Sequence, residues 1–449
     1  MRFSYEQAVD YILGVPRFTK KNVLEDTNDF YDFLGRPGER ACIVHVAGTN
    51  GKGSVCAYIN SVLEKAHIST GMFTSPHLVD IRERFRLNGE MISREAFASC
   101  MNLLMDRLGL FRKKPGKEEY HPTFFEMLFF MGMLWFESRN AEAIVLETGM
   151  GGRLDATNVV KAPAVCVITR IGLDHMEYLG DTKEKIAAEK AGIIKPHVPV
   201  VFWDEEPAVS RVIVEKAKKM GVEVIPVSDQ QVGFFNFKNK TVDFSMRSEY
   251  YEYIRVCLRT PAVYQRHNAA LAVRALEVLN RVLTGKAHQT GKTGEVISRR
   301  MIEEGLLEAH WDGRMEEVLP GVVIDGAHNE DGVSAFLESV SADGCEGKRS
   351  LLFSVVSDKR GKDMAEQILK SGLFSRIAAA PMESSRSLAK EQLAALWDNR
   401  VQLYDSPEEA FLSMIRERKE KDMVYAAGSL YLAGQLLACL QEKGLYQRE

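Results

Sequence analysis

The sequence predicts an α/β protein of two domains, each built on a mainly parallel sheet. Three observations carry this reading. Short, near-continuous apolar runs alternate with helix-period segments, the pattern of a parallel sheet covered on both faces. The polar stretch "LTGKAHQTGKTGE" (283–295) interrupts the alternation as a helix-poor segment, after which it restarts. A chain of 449 residues is also long enough for two or three domains at about 150 residues each.

Taken in order, the first strands read as "ACIVHVAG" (41–48), "AIVLETG" (143–149), "AVCVITRI" (164–171), "VPVVFW" (198–203) and "VEVIPV" (222–227). Directly after the first of them Val55, Tyr58, Ile59, Val62, Leu63 and Ala66 recur at three- and four-residue steps, which predicts a helix. A helix-like segment, "VISRRMIEEGLLEAH" (296–310), follows the interruption. Strands then resume with "GVVIDGAHN" (321–329), "RSLLFSVV" (349–356), "RIAAAP" (376–381), "VQLYD" (401–405) and "DMVYAAG" (422–428). The boundary is placed near residue 310, giving domains 1–310 and 311–449. No internal repeat or low-complexity tract is evident.

Composition narrows the partners. Hydrophobic residues at 45% and charged residues at 27% are those of a folded globular chain rather than a disordered one. A net charge of -4 gives no field to attract nucleic acid or an anionic membrane. The most apolar run, "FFEMLFFMGMLWF" (124–136), contains Glu126 and is too short to span a bilayer. The first residues, "MRFSYEQAVDYILG", lack the apolar core of a secretion signal. Seven scattered cysteines without a C-x-x-C pair read as reduced thiols. The expectation is a cytoplasmic monomer acting on small molecules, with neither nucleic acid nor membrane as partner.

The stretch "VHVAGTNGKGS" (44–54) carries the first functional signal. It departs from the phosphate-loop pattern G-x-x-x-x-G-K-[ST], because Val46 stands where the first glycine belongs and Gly53 where the hydroxyl does. Gly48, Gly51 and Gly53 still free the backbone to wrap an anion, and the helix that follows points its N-terminus at it. Lys52 adds a mobile cation, and Ser54 a hydroxyl donor. The alternative is a glycine-rich turn with Lys52 in water. The order of strand, three glycines, lysine, serine and helix favours the anion loop.

This loop is joined by "TSPHL" (74–78), "ETGMGGRLDATN" (147–158), "DHMEYLGDTKEKIAAEKAGIIK" (174–195), "RHNAALA" (266–272), "WDGR" (311–314), "IDGAHN" (324–329) and "GSLYLAG" (428–434). In this order the segments resemble folylpolyglutamate synthases, the folate branch of the Mur ligase superfamily. The resemblance implies a P-loop ATPase domain with a mainly parallel sheet, followed by a smaller Rossmann-like α/β domain. It also implies an amide ligase that spends ATP to add L-glutamate to the terminal carboxylate of a reduced folate through an acyl phosphate. Addition of the first glutamate to dihydropteroate is left open by the sequence. The alternatives are a wall-precursor Mur ligase and a non-catalytic nucleotide-binding switch.

Site residues follow from the same resemblance. ATP contacts fall on Gly48, Thr49, Asn50, Gly51, Lys52, Gly53, Ser54, Asn268, Arg314, Asp325 and His328. Ser75, Glu147 and His175 are implied to bind magnesium. Lys190 is implied to be carbamylated and to bring in a second ion. Lys52, Glu147, His175 and Lys190 form the catalytic set. Arg82 and Phe124 are placed at the folate and Ser429 at the incoming glutamate. From composition alone several have plainer readings. Ser75 before Pro76 shapes a turn, His175 is structural, and Lys190 is one of four lysines between 183 and 195 on a solvated helix. Asp325-Gly326 is a turn signal, Phe124 begins a core helix, and Ser429 is an N-cap.

Overall fold

Both predicted strand series form sheets, and the computed structural model describes residues 2–15, 22–238, 240–248, 250–289, 296–384, 386–398 and 400–447. The first sheet comprises β1 (Cys42–Ala47), β2 (Thr70–Phe73), β3 (Phe85–Leu87), β4 (Glu90–Met91), β5 (Ala143–Glu147), β6 (Val165–Ile168), β7 (Val200–Trp203) and β8 (Val224–Val227). Its order is β4-β3-β2-β5-β1-β6-β7-β8. All neighbours run parallel except β2/β3 and β3/β4, which form an antiparallel edge. β1 lies between β5 and β6, with Val46 in register with Glu147 on one side and Val167 on the other. From β1 the chain runs to β2 on one side, and after β5 it crosses to β6 on the other. Loops after β1, β5 and β6 leave the same carboxyl edge of the sheet, the place where such sheets bind ligands.

Three further strands, β9 (Val232–Lys238), β10 (Thr241–Ser248) and β11 (Glu252–Leu258), make an antiparallel sheet of their own. A last sheet holds β12 (Glu316–Leu319), β13 (Val322–Ile324), β14 (Arg349–Phe353), β15 (Arg376–Ala379), β16 (Gln402–Leu403) and β17 (Met423–Ala427), in the order β12-β13-β17-β14-β15-β16. Apart from the β12/β13 pair it is parallel. The neighbours β13, β17 and β14 end side by side and deliver the loops that face the first sheet.

The helix predicted after β1 spans Lys52–Lys65 and buries Val55, Tyr58, Ile59, Val62 and Leu63. They pack with Leu271, Leu276 and Leu279 of the helix Gln265–Gln289. The apolar run at 124–136 is the buried helix Phe124–Ser138, packed on Phe30, Phe73 and Phe97. Among the described residues no helix is long and apolar enough to cross a membrane. All seven cysteines are free.

Two expectations need correction. Residues 283–289, read as helix-poor, continue the helix to Gln289. Leu283 packs against the first core there, and one glycine, Gly285, costs a helix only about 1 kcal/mol. Residues 290–295 lie outside the described residues. The antiparallel strands β9 to β11 were not foreseen, because a sheet buried on one face alternates apolar with polar residues instead of forming apolar runs. β10 starts this way, with Val242 buried between the partly exposed Thr241 and Asp243, and Phe244 buried after Asp243.

Candidate active site

The loop after β1 is held in shapes that only glycine takes easily. Gly51 has φ +92°, and a Cβ there would fall 2.1 Å from Asn268 Oδ1. Gly48 has φ +151°, and its Cβ would fall 1.7 Å from Thr169 Oγ1. Gly53 lies against the Trp311 indole. Gly51 caps the helix, whose first bond runs from Val55 N to Gly51 O. The amides of Lys52, Gly53 and Ser54 thus head the helix without intrahelical acceptors. Thr49 and Asn50 instead donate their N–H groups to Arg170 O at 2.9 and 3.2 Å, so the anion-facing donors are those from Gly51 onward.

Lys52 Nζ lies 3.9 Å from Glu147 Oε1 and donates to Thr49 O at 3.3 Å. Glu147, at the end of β5, is buried and accepts the Ser75 N–H at 2.9 Å. Burial raises its pKa, against the opposing pull of Lys52, the Ser75 amide, Arg314 and Arg84. Ser75 and Glu147 line one cavity with Gly53, Trp311, Arg314 and Leu430. His175 lies apart from them, lining a neighbouring cavity with Lys359 and Arg386. Its backbone takes a left-handed conformation, φ 49°, at the start of the short helix Met176–Leu179. Burial, opposed by Asp174 and reinforced by Lys359 and Lys52, pulls its pKa down to about 4. The imidazole is neutral at pH 7.

Lys190 is not a solvated lysine. It is buried and donates from Nζ to Gly48 O at 2.7 Å, directly beneath the phosphate loop. Burial and the nearby Lys52 ammonium, opposed by Asp174 and Asp155, lower its pKa to about 7.

Four of the second-domain and helix residues meet the loop at one cavity. Asn268, Arg314, Asp325 and His328 line it together with Asn50, Gly51, Ser54, Trp203 and His267. Arg314 lines both this cavity and the one at Ser75 and Glu147. Asp325 accepts from Tyr264 OH, Met315 N and Ala327 N at 2.7–2.8 Å, which fixes the β13 loop. Across the gap Asn50 and Asn329 exchange side-chain hydrogen bonds of 3.1 and 3.0 Å. Asp174 is gripped by Lys359, Asn329 and His328. Burial alone would raise its pKa, but His328, Lys359 and His175 hold its carboxyl well below the usual range.

The remaining expected residues are placed differently. Arg82 forms a bidentate contact with Asp80, 2.7–3.1 Å, and sits over the Tyr5 ring. Phe124 is buried in the core under Arg84. Neither lines the cavity at Glu147. Ser429 caps the helix Leu430–Glu442 by accepting from Tyr431 N at 3.1 Å, beside Leu430 of that cavity. Sequence reasoning missed Trp203 and His267, whose rings lie 4.4 Å apart in the Asn268 cavity. It also missed Asp174, Lys359 and Asn329. Asp174 and Asn329 stood inside quoted motifs, whereas nothing around Lys359 marked it.

Two parallel sheets facing each other across a glycine-rich phosphate loop define the class, and family models agree with it. Residues 46–276 match the Mur ligase middle domain and residues 313–430 the Mur ligase glutamate ligase domain. A Bacillus subtilis dihydrofolate synthase/folylpolyglutamate synthase is 34% identical over 442 residues, 96% of this chain and 98% of the relative. The apo form of L. casei FPGS superposes with a TM-score of 0.83 at 27% identity, covering 98% of this chain and 100% of that one. E. coli FolC in complex with DHPP and ADP gives 0.84 at 25% identity, covering 98% and 99%. The chain belongs to the folylpolyglutamate synthase family.

Proposed function

We propose that this protein is an ATP-dependent ligase joining L-glutamate to the terminal carboxylate of a reduced folate, with residues 1–310 carrying the nucleotide and residues 311–449 closing over it. The observation that carries the reading is the position of Arg314. It lines both the cavity of Gly51, Ser54, Asn268, Asp325 and His328 and the cavity of Ser75 and Glu147, so a nucleotide in the first would meet the phosphoryl acceptor, the folate carboxylate, in the second.

A carboxylate does not react with an amine at neutral pH because its leaving group would be an oxide. Phosphorylation by ATP makes an acyl phosphate. In this site the Lys52 ammonium and the amides at the head of its helix neutralise the γ-phosphate while the folate carboxylate attacks in line. The α-amino group of glutamate then attacks the acyl carbon, and the tetrahedral oxyanion collapses to amide and phosphate. Arg314 is placed to steady charge passing between the cavities. The apposed domains hold both acceptors and keep water from the acyl phosphate.

Glu147 and Ser75, with His175 supplied from the adjoining cavity, would hold magnesium, and the neutral His175 and buried Glu147 carboxylate suit it as donors. Bound there, magnesium supplies charge neutralisation to the phosphate oxygens. Lys190, with its lowered pKa, has the free amine that carbon dioxide needs to form a carbamate, and that group would serve as a further oxygen ligand. Two or more substrates of one chemistry fit the reading: folate and, for the first glutamate, dihydropteroate. The test is release of ADP by purified protein given ATP, magnesium, L-glutamate and a reduced folate, with product mass rising by glutamyl units. ADP release with UDP-linked muramyl substrates alone would move the protein to the wall-precursor branch.

A further inference from the structure

Three arginines alternate along the segment before β4, and their surroundings differ. Arg82 is paired with Asp80 through Nε and Nη2. Arg84 is buried and donates from Nε to His77 Nδ1 at 2.9 Å. Arg86, on β3, is the under-used one. Its Nε is buried without a hydrogen-bond partner among the described residues. Nη1 reaches Gly89 O only at 3.4 Å, and Nη2 lies 3.8 Å from Asp312 Oδ2. A buried guanidinium donor left unsatisfied costs free energy. The planar fork of arginine matches a carboxylate. Arg86 also lines the cavity that holds Ser75 and Glu147.

From this we infer that Arg86 binds the non-reacting carboxylate of the folate substrate, an inference that rests on the ligase reading above. A glutamyl-ended substrate presents two carboxylates, of which one is phosphorylated and the other must be held away from the phosphate. Anchoring the second one on Arg86 selects which carboxylate reacts. It also separates a glutamyl-ended substrate from a pteroate-type one, which carries a single carboxylate and gains nothing from Arg86. Arg86 is thus a specificity-determining residue, and Arg82, locked on Asp80, is not the one that meets this carboxylate.

The test is calorimetric titration of the full-length protein, with ADP and magnesium present, by folate and by pteroate. The parent protein is expected to bind folate more tightly than pteroate. In Arg86→Gln, folate should weaken by about 10- to 100-fold, the range of one charge-assisted contact, while pteroate moves less than about twofold. Arg86→Lys, which keeps the charge and loses the fork, should fall between. Equal weakening of both ligands would show a structural role and overturn the inference, as would no weakening of either. A parent protein that binds neither ligand would instead bring down the ligase reading itself, and this inference with it.

Discussion

Lys52 and Lys190 show how residues of one type take different roles from their surroundings. Lys52 stands at the head of a helix, 3.9 Å from Glu147. Lys52→Ala should lower turnover by about a hundredfold or more, comparable to losing one oxyanion donor, while Glu147→Ala should lose metal-dependent activity with the melting temperature little changed. Lys190 is buried under Gly48 with a pKa of about 7, against about 10.4 when unperturbed. Between these values the unfolded chain binds the extra proton, so stability should rise with pH across that window and level off above it. Denaturant midpoints measured through the window should show the rise in the parent protein and not in Lys190→Met. Carbamylation needs the neutral amine, so activity should climb as pH passes upward through about 7. Lys190→Ala should lose activity and regain part of it with acetate, whereas Lys185→Ala, an exposed lysine on the same helix paired with Asp181, should need no rescue. An active Lys190→Ala would remove the carbamate from the account.

The phosphate loop is the element on which local sequence and tertiary packing agree most closely. Gly48→Ala should fail twice over, through its φ of +151° and through collision with Thr169 Oγ1. Among the described residues Thr169 Oγ1 is buried without a partner, so Thr169→Ala should cost little alone and should recover part of the stability lost in Gly48→Ala, as thermal melts of the double variant would show. Full recovery would mean that backbone strain contributes nothing. The parallel strands β1 and β5 to β8 and the helix at 52–65 were legible because apolar runs and three- and four-residue steps report burial directly. β2, β3, β4 and β12 were not, being only two to four residues long. The site was legible where backbone conformation demands glycine, as at Gly48 and Gly51. It was illegible where tertiary packing decides: composition alone does not separate Lys190 from Lys185, though the family motif does, and nothing local shows that Asp80 engages Arg82 while the Arg86 Nε is buried without a partner among the described residues.

At the scale of the whole molecule, polar contacts around Asp174, Asn50 and Asn329 are among those that join the two halves of the chain. Asp174 and Lys359 are both nearly buried, and breaking such a pair leaves an uncompensated charge, at a cost of about 3–5 kcal/mol. Asp174→Asn should loosen the apposition and admit water to the acyl phosphate. ADP formed per amide made should then rise above the parent's ratio; an unchanged ratio would mean that closure does not depend on this contact. The account stands or falls on the chemistry that the joined cavities allow. Its most direct test is turnover of a reduced folate labelled with oxygen-18 in its terminal carboxylate, with ATP, magnesium and L-glutamate, followed by mass spectrometry of the phosphate released. An acyl phosphate intermediate predicts that each amide bond formed transfers one labelled oxygen from the folate carboxylate to phosphate; amide product accompanied by unlabelled phosphate, or no amide product at all, would contradict it.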